Sequence, residues 1–162
     1  EEKKNEPKPE SLNLDTSKVA SKEIYSDGIE YSLPDDELIK IFVLASKQKR
    51  VDMVKTWDAL QTLRNDPHVG KLASLLTDGR PFAVTDEVIL LSFGFTRRKK
   101  QANIMNNQQG MQQLVESVIG KKVFIYSLDH TDTSRLMQKY YVLQNNRQLP
   151  DKKDIVLNLP IK

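Results

Sequence analysis

Cysteine is absent from the 162 residues, and histidine occurs twice, at His68 and His130. The first absence excludes disulfides, thiolate metal sites and cysteine nucleophiles, and it suits a reducing, cytoplasmic setting. The second leaves no His-x-x-x-His pair, so a zinc site is not expected. Glycine is scarce, with six in the chain, and no Gly-x-x-x-x-Gly-Lys-Ser/Thr or Gly-x-Gly-x-x-Gly loop occurs to cradle a phosphate. A Gly-x-Ser-x-Gly nucleophile elbow is missing too. No apolar run approaches the roughly 18 residues of a membrane span, and no leader-like apolar stretch lies near the start. Enzymatic chemistry, cofactors and membrane insertion are therefore not expected of this polypeptide.

What is present is charge and helical periodicity. Lys and Arg number 25 against 22 Asp and Glu, a net charge of +3, and the sequence pI is near 9.0. Five acids and five lysines cancel within residues 1–22, so the whole excess falls in residues 23–162. It gathers in runs: Lys47-Gln48-Lys49-Arg50, Arg97-Arg98-Lys99-Lys100 and Lys121-Lys122. Lys47, Lys49, Arg50, Arg97, Arg98, Lys99 and Lys100 are the candidate partner- or phosphate-binding residues, the bland alternative being solvated helix ends.

Residues 1–22, rich in Glu, Lys, Pro and Ser, read as a disordered linker. The chain opens on Glu1 rather than Met, which suggests a piece of a longer protein. Residues 23–150 read as one α+β domain, and 151–162 as a C-terminal tail. Asp27-Gly28 between apolar pairs fits either a tight hairpin or a turn in the linker. Pro34 and the acids Asp35-Asp36-Glu37 suit the start of a helix bearing Leu38, Ile41, Phe42 and Ala45. Met53, Val54, Trp57, Leu60 and Leu63 form a second stripe, with Trp57 as a core anchor. Asn65-Asp66-Pro67 breaks the chain before a short helix containing Leu72, Leu75 and Leu76.

Residues 81–95 predict two strands joined at Thr85-Asp86-Glu87. In the second, Ile89, Leu91, Phe93 and Phe95 share one face and Val88 and Leu90 the other, the pattern of a central strand covered on both sides. Helical spacing returns over 97–119, with Met111, Leu114, Val115, Val118 and Ile119 on one stripe and Gly120 placed as a C-terminal cap. A third strand over 123–128 and a helix from about Thr131 follow. Asp129-His130-Thr131-Asp132 between them reads as a helix cap rather than a metal cluster. Tyr140 and Tyr141 point in different directions, one toward the core and one toward the rim, where a surface aromatic beside Lys139 would mark a protein interface. The fold expected is a small three-stranded mixed sheet with helices packed mainly on one face.

Over residues 57–128 the chain resembles a known family. The carrying features are Trp57-Asp58-Ala59-Leu60, then Leu72-Ala73-Ser74-Leu75-Leu76-Thr77-Asp78-Gly79-Arg80-Pro81 before a strand ending Leu91-Ser92-Phe93. The charged helix from Arg97 to Asn107 and Leu114-Val115-Glu116-Ser117-Val118-Ile119-Gly120-Lys121-Lys122-Val123 complete them. They resemble the C-terminal region of the gamma/tau clamp-loader subunits of bacterial DNA polymerase III, in the low-GC Gram-positive or mollicute form. The resemblance implies a truncated KH-like α+β domain without catalytic groups, which holds the replicative DNA polymerase catalytic subunit and, with the region before it, the replicative helicase. The turn Asp86-Glu87 departs from the pattern by lacking a glycine, the chain runs on past the last matched strand, and the Gly-x-x-Gly loop of nucleic-acid-binding KH domains is missing. A basic module for single-stranded nucleic acid and an oligomerisation domain are the alternatives.

Overall fold

The computed structural model describes Thr16, Ser17, Val19 and residues 23–160. Most of the linker assigned to 1–22 thus lies outside the described residues. Val19 is buried, and its carbonyl accepts a 2.7 Å hydrogen bond from Nε2 of His68.

Among the described residues, six α-helices and three strands make up the fold: α1 (Asp35–Leu44), α2 (Lys47–Gln61), α3 (Gly70–Thr77), β1 (Gly79–Val84), β2 (Val88–Phe93), α4 (Thr96–Ala102), α5 (Met105–Ile119), β3 (Phe124–Asp129) and α6 (His130–Asn145). The sheet order is β1-β2-β3, with β1 antiparallel and β3 parallel to the central β2. This is the small mixed sheet of an α+β fold, as expected. Period-two alternation splits the core in two. Ile89, Leu91, Phe93 and Ile125 meet Trp57, Leu60, Leu72, Leu76, Ala102, Met111 and Leu114 on the face that carries α2 to α5. Val88, Leu90, Phe124, Tyr126 and Leu128 meet Leu38, Ile41 and Leu136 on the face that carries α1 and α6.

Local chemistry sets the boundaries. Trp57 is an interior anchor, with its indole Nε1 donating to the Leu76 carbonyl at 2.9 Å. The Asp66 carboxylate accepts from the N–H groups of His68 and Val69 ahead of α3, so the break at 65–67 also primes the next helix. Gly79 opens β1 against the Phe93 ring, where an added Cβ would lie 2.6 Å from the ring edge. The 85–87 turn does without glycine because the Thr85 hydroxyl accepts from the N–H groups of Glu87 and Val88. Gly120 closes α5 at φ +82°, a left-handed conformation that glycine adopts freely.

Two expectations need adjusting, and one open alternative is decided. The helical stretch 97–119 is two helices, broken at Asn103-Ile104. Phe95 does not continue the buried face of β2; the strand ends at Phe93 and Phe95 stands 77% exposed ahead of α4. Around Asp27-Gly28 the chain bends without forming a hairpin, because Glu30 pairs across to Ile104 instead of back to residue 24 or 25.

Candidate functional site

Two separate regions receive the basic runs. Lys47, Lys49 and Arg50 occupy the first turn of α2, which is tied to the end of β1 by Ser46 N–H donating to the Val84 carbonyl. Arg97, Arg98, Lys99 and Lys100 lie on α4, beyond the opposite end of β2. A six-residue strand spans roughly 20 Å, so the runs do not merge into one patch.

Fold-building absorbs half of the α4 run. Arg98 Nε donates to Asp78 at 2.7 Å and its Nη1 to Gln101 at 2.7 Å, fastening α4 to the end of α3. Lys99 Nζ lies 3.2 Å from Asp132 and 3.7 Å from Asp129, closing a network between α4 and the start of α6. Arg97 and Lys100 have no ion-pair partner among the described residues and follow exposed Phe95 in the chain. In the α2 run, Lys49 faces Asp86 at 3.8 Å, with Lys121 on the same carboxylate at 3.7 Å.

The acids that resemble catalytic or metal groups are likewise engaged. Asp129 and Asp132 form a reciprocal capping box, each carboxylate accepting the other residue's N–H at 2.9 and 3.0 Å. Burial pushes the Asp129 carboxyl up, yet the Asp132 N–H, the Lys99 ammonium and the Thr96 hydroxyl together hold it below the ordinary range. Asp35 is lowered chiefly by its hydrogen bond from Arg135, at 3.0 Å, with Lys139 3.6 Å away. Glu37 accepts from the N–H of Asn158 at 2.5 Å and pairs with Lys40.

Sequence reasoning missed a row of buried side-chain amides. β3 is an edge strand whose outer N–H and C=O groups would be unpaired. Asn103 exchanges two hydrogen bonds with Ser127, at 2.9 and 2.8 Å, and Gln108 two with Ile125, at 2.8 and 2.9 Å. Gln112 donates to Val123 at 2.8 Å. The amides replace a fourth strand. Asn107 makes the same two-way exchange with Tyr25, and Ile104 bridges to Glu30, so residues 25–31 strap the α4–α5 turn. The available signal was the run Asn106-Asn107-Gln108-Gln109, whose amides interrupt an otherwise apolar stripe.

An open groove of about 410 Å³ lies between the C-terminal end of α1, the first turn of α2, the middle of β1 and α6. Phe42, Phe82 and Tyr140 form its aromatic wall, with ring centroids 5.8 Å apart for Phe42–Phe82 and 6.2 Å for Phe42–Tyr140. Lys47 and Arg50 stand at its rim. Of the candidate cations, Lys47 and Arg50 are thus brought to the groove that Tyr140 lines, whereas Lys49 and those of α4 are not. Tyr141 is 53% exposed next to it. No protein-family model, curated protein or solved structure matches this chain.

Proposed function

We propose that this chain is a non-catalytic protein-interaction module, the C-terminal domain of a DNA polymerase III gamma/tau subunit, tethering a clamp loader to the replicative polymerase or helicase. The observation that carries the interaction reading is the open aromatic groove with Lys47 and Arg50 at its rim, while Asp35, Glu37, Asp129 and Asp132 are engaged in caps and ion pairs. An interface core favours aromatic side chains and arginine over acids. The assignment to clamp loaders rests on the resemblance over residues 57–128, and the helix–hairpin–helix–helix–strand order of α3 to β3 accords with it. Titration of the chain against the cognate polymerase catalytic subunit and helicase tests it: micromolar or tighter binding to either is expected, and binding to neither rejects it.

A second reading is favoured by one observation. Phe95, 77% exposed between the sheet and the unpaired Arg97 and Lys100, has the make-up of a base-stacking platform with phosphate contacts. Against it stands the strap over the α4–α5 turn, which closes that backbone to a ligand. Single-stranded DNA affinity that falls steeply with salt, and is lost in Arg97→Glu/Lys100→Glu, would support this reading; salt-independent or absent binding would remove it.

A further inference from the structure

We propose that the groove between α1, α2, β1 and α6 is a docking site for an acidic, apolar segment of a protein partner: large hydrophobic side chains on one face, flanked by Asp or Glu. This deepens the interaction-module reading and rests on it. Ten residues line the groove; Lys47 and Arg50 are cationic and none is acidic. Neither cation has an ion-pair partner among the described residues, and both sit in the first turn of α2, where the helix dipole adds charge of the same sign. An anionic group arriving there relieves an unfavourable arrangement, so the complementarity is directional.

The floor selects the rest of the occupant. Phe42, Ala45, Pro81, Phe82, Ala83, Met137 and Tyr140 are largely apolar, and Met137 is a side chain that re-packs readily around different shapes. The middle of β1 is unsuited to receiving an added strand, because Pro81 has no N–H and the register with β2 slips between Pro81 and Ala83. The partner is therefore held by side chains, in the manner of an amphipathic helix laid in a groove, rather than by a backbone ladder.

The test starts from random peptides of about a dozen residues displayed on phage and selected on the whole chain, with the enriched sequences remade as labelled peptides. Acidic residues beside large apolar ones are expected. Affinity should drop roughly tenfold or more in Lys47→Glu/Arg50→Glu and in Tyr140→Ala. The charge variant favours the α2 dipole, so folding is retained and a lost signal reports binding. Basic or unpatterned peptides, or affinity indifferent to both variants, would overturn the proposal, as would displacement of the peptides by single-stranded oligonucleotide. A tenfold or greater rise in peptide affinity when residues 1–15 are removed would also overturn it, by pointing to the chain's own Leu12-Asn13-Leu14-Asp15 as the occupant. If the polymerase subunit still binds the charge variant at full strength, this inference fails and the module reading stands. If neither the polymerase nor the helicase binds while groove peptides do, the replication assignment fails and the groove stands.

Discussion

Asp35, Asp66 and Asp129 share one property: each carboxyl is held below its ordinary value of 3.8 by hydrogen bonds or cations that exist only in the folded chain. A carboxyl with a lowered folded pKa is ionised more readily in the folded state. Its stabilising contribution is complete above the unfolded value and disappears as the pH falls through the folded one. Urea midpoints should therefore be flat from neutrality to about pH 5 and decline below it. Asp129→Ala removes the α6 cap together with one of the two carboxylates beside Lys99; at pH 7 it should lower stability by about 1–2 kcal/mol and flatten that acid limb. An unchanged acid limb would show that Asp129 contributes nothing there. Ser127 is the opposite case. Its backbone is fully engaged by Asn103, but its buried hydroxyl has no hydrogen-bond partner. Ser127→Ala should raise the urea midpoint, by about 1 kcal/mol in stability, because the substitution deletes an unsatisfied group and leaves the backbone exchange intact.

At the scale of elements, the amide row explains how a three-stranded sheet avoids presenting a sticky edge. Gln108→Leu leaves the buried N–H and C=O of Ile125 unpaired, at a cost of about 2–4 kcal/mol. Gln109→Leu, one position along on an exposed site, should change stability by under ~0.5 kcal/mol. Chemical denaturation of the two variants, with hydrogen exchange at the Ile125 amide, separates an edge-closing role from a general effect of helix composition. The elements most legible in the sequence were those governed by local rules. The alternation of Val88 to Phe93 announced a central strand, the Asp129/Asp132 spacing a cap, and Gly120 a helix end. The amide row was not legible, because the pairing of Gln108 with Ile125 depends on where α5 docks, and no periodicity encodes that. The rim cations of the groove were named from sequence, yet their meeting with Phe82 and Tyr140 depends on contacts between elements far apart in the chain. Phe95 misled for a related reason: its place in the alternation was right, but the strand stopped short of it.

At the scale of the whole molecule, the C-terminal segment is the part whose role changes most between sequence and structure. From the sequence alone it reads as a C-terminal tail outside the domain of residues 23–150. After a short 3-10 turn at Lys152–Asp154 the chain instead lays Leu157 and Leu159 against the core beneath α1, β2 and β3. Asn158 N–H reaches the buried Glu37 carboxylate, and the Val156 carbonyl accepts from Lys40 at 3.3 Å. A chain ended after Asp154 would lose two half-buried leucines, about 1 kcal/mol each, and would leave Glu37 with Lys40 alone in a nearly dry site. The expected loss is about 2–4 kcal/mol, read as a lower melting temperature and urea midpoint. In amide spectra, Glu37, Lys40 and Phe124 should shift while Phe82 and Tyr140 hold, since the groove lies at the other end of α1 and does not include the segment. Peptide binding at the groove should survive truncation at temperatures where the shortened chain stays folded. An equally stable truncated chain would show that residues 155–160 only rest on the surface, and a truncated chain that folds but no longer binds would join the two ends of α1 into one interface.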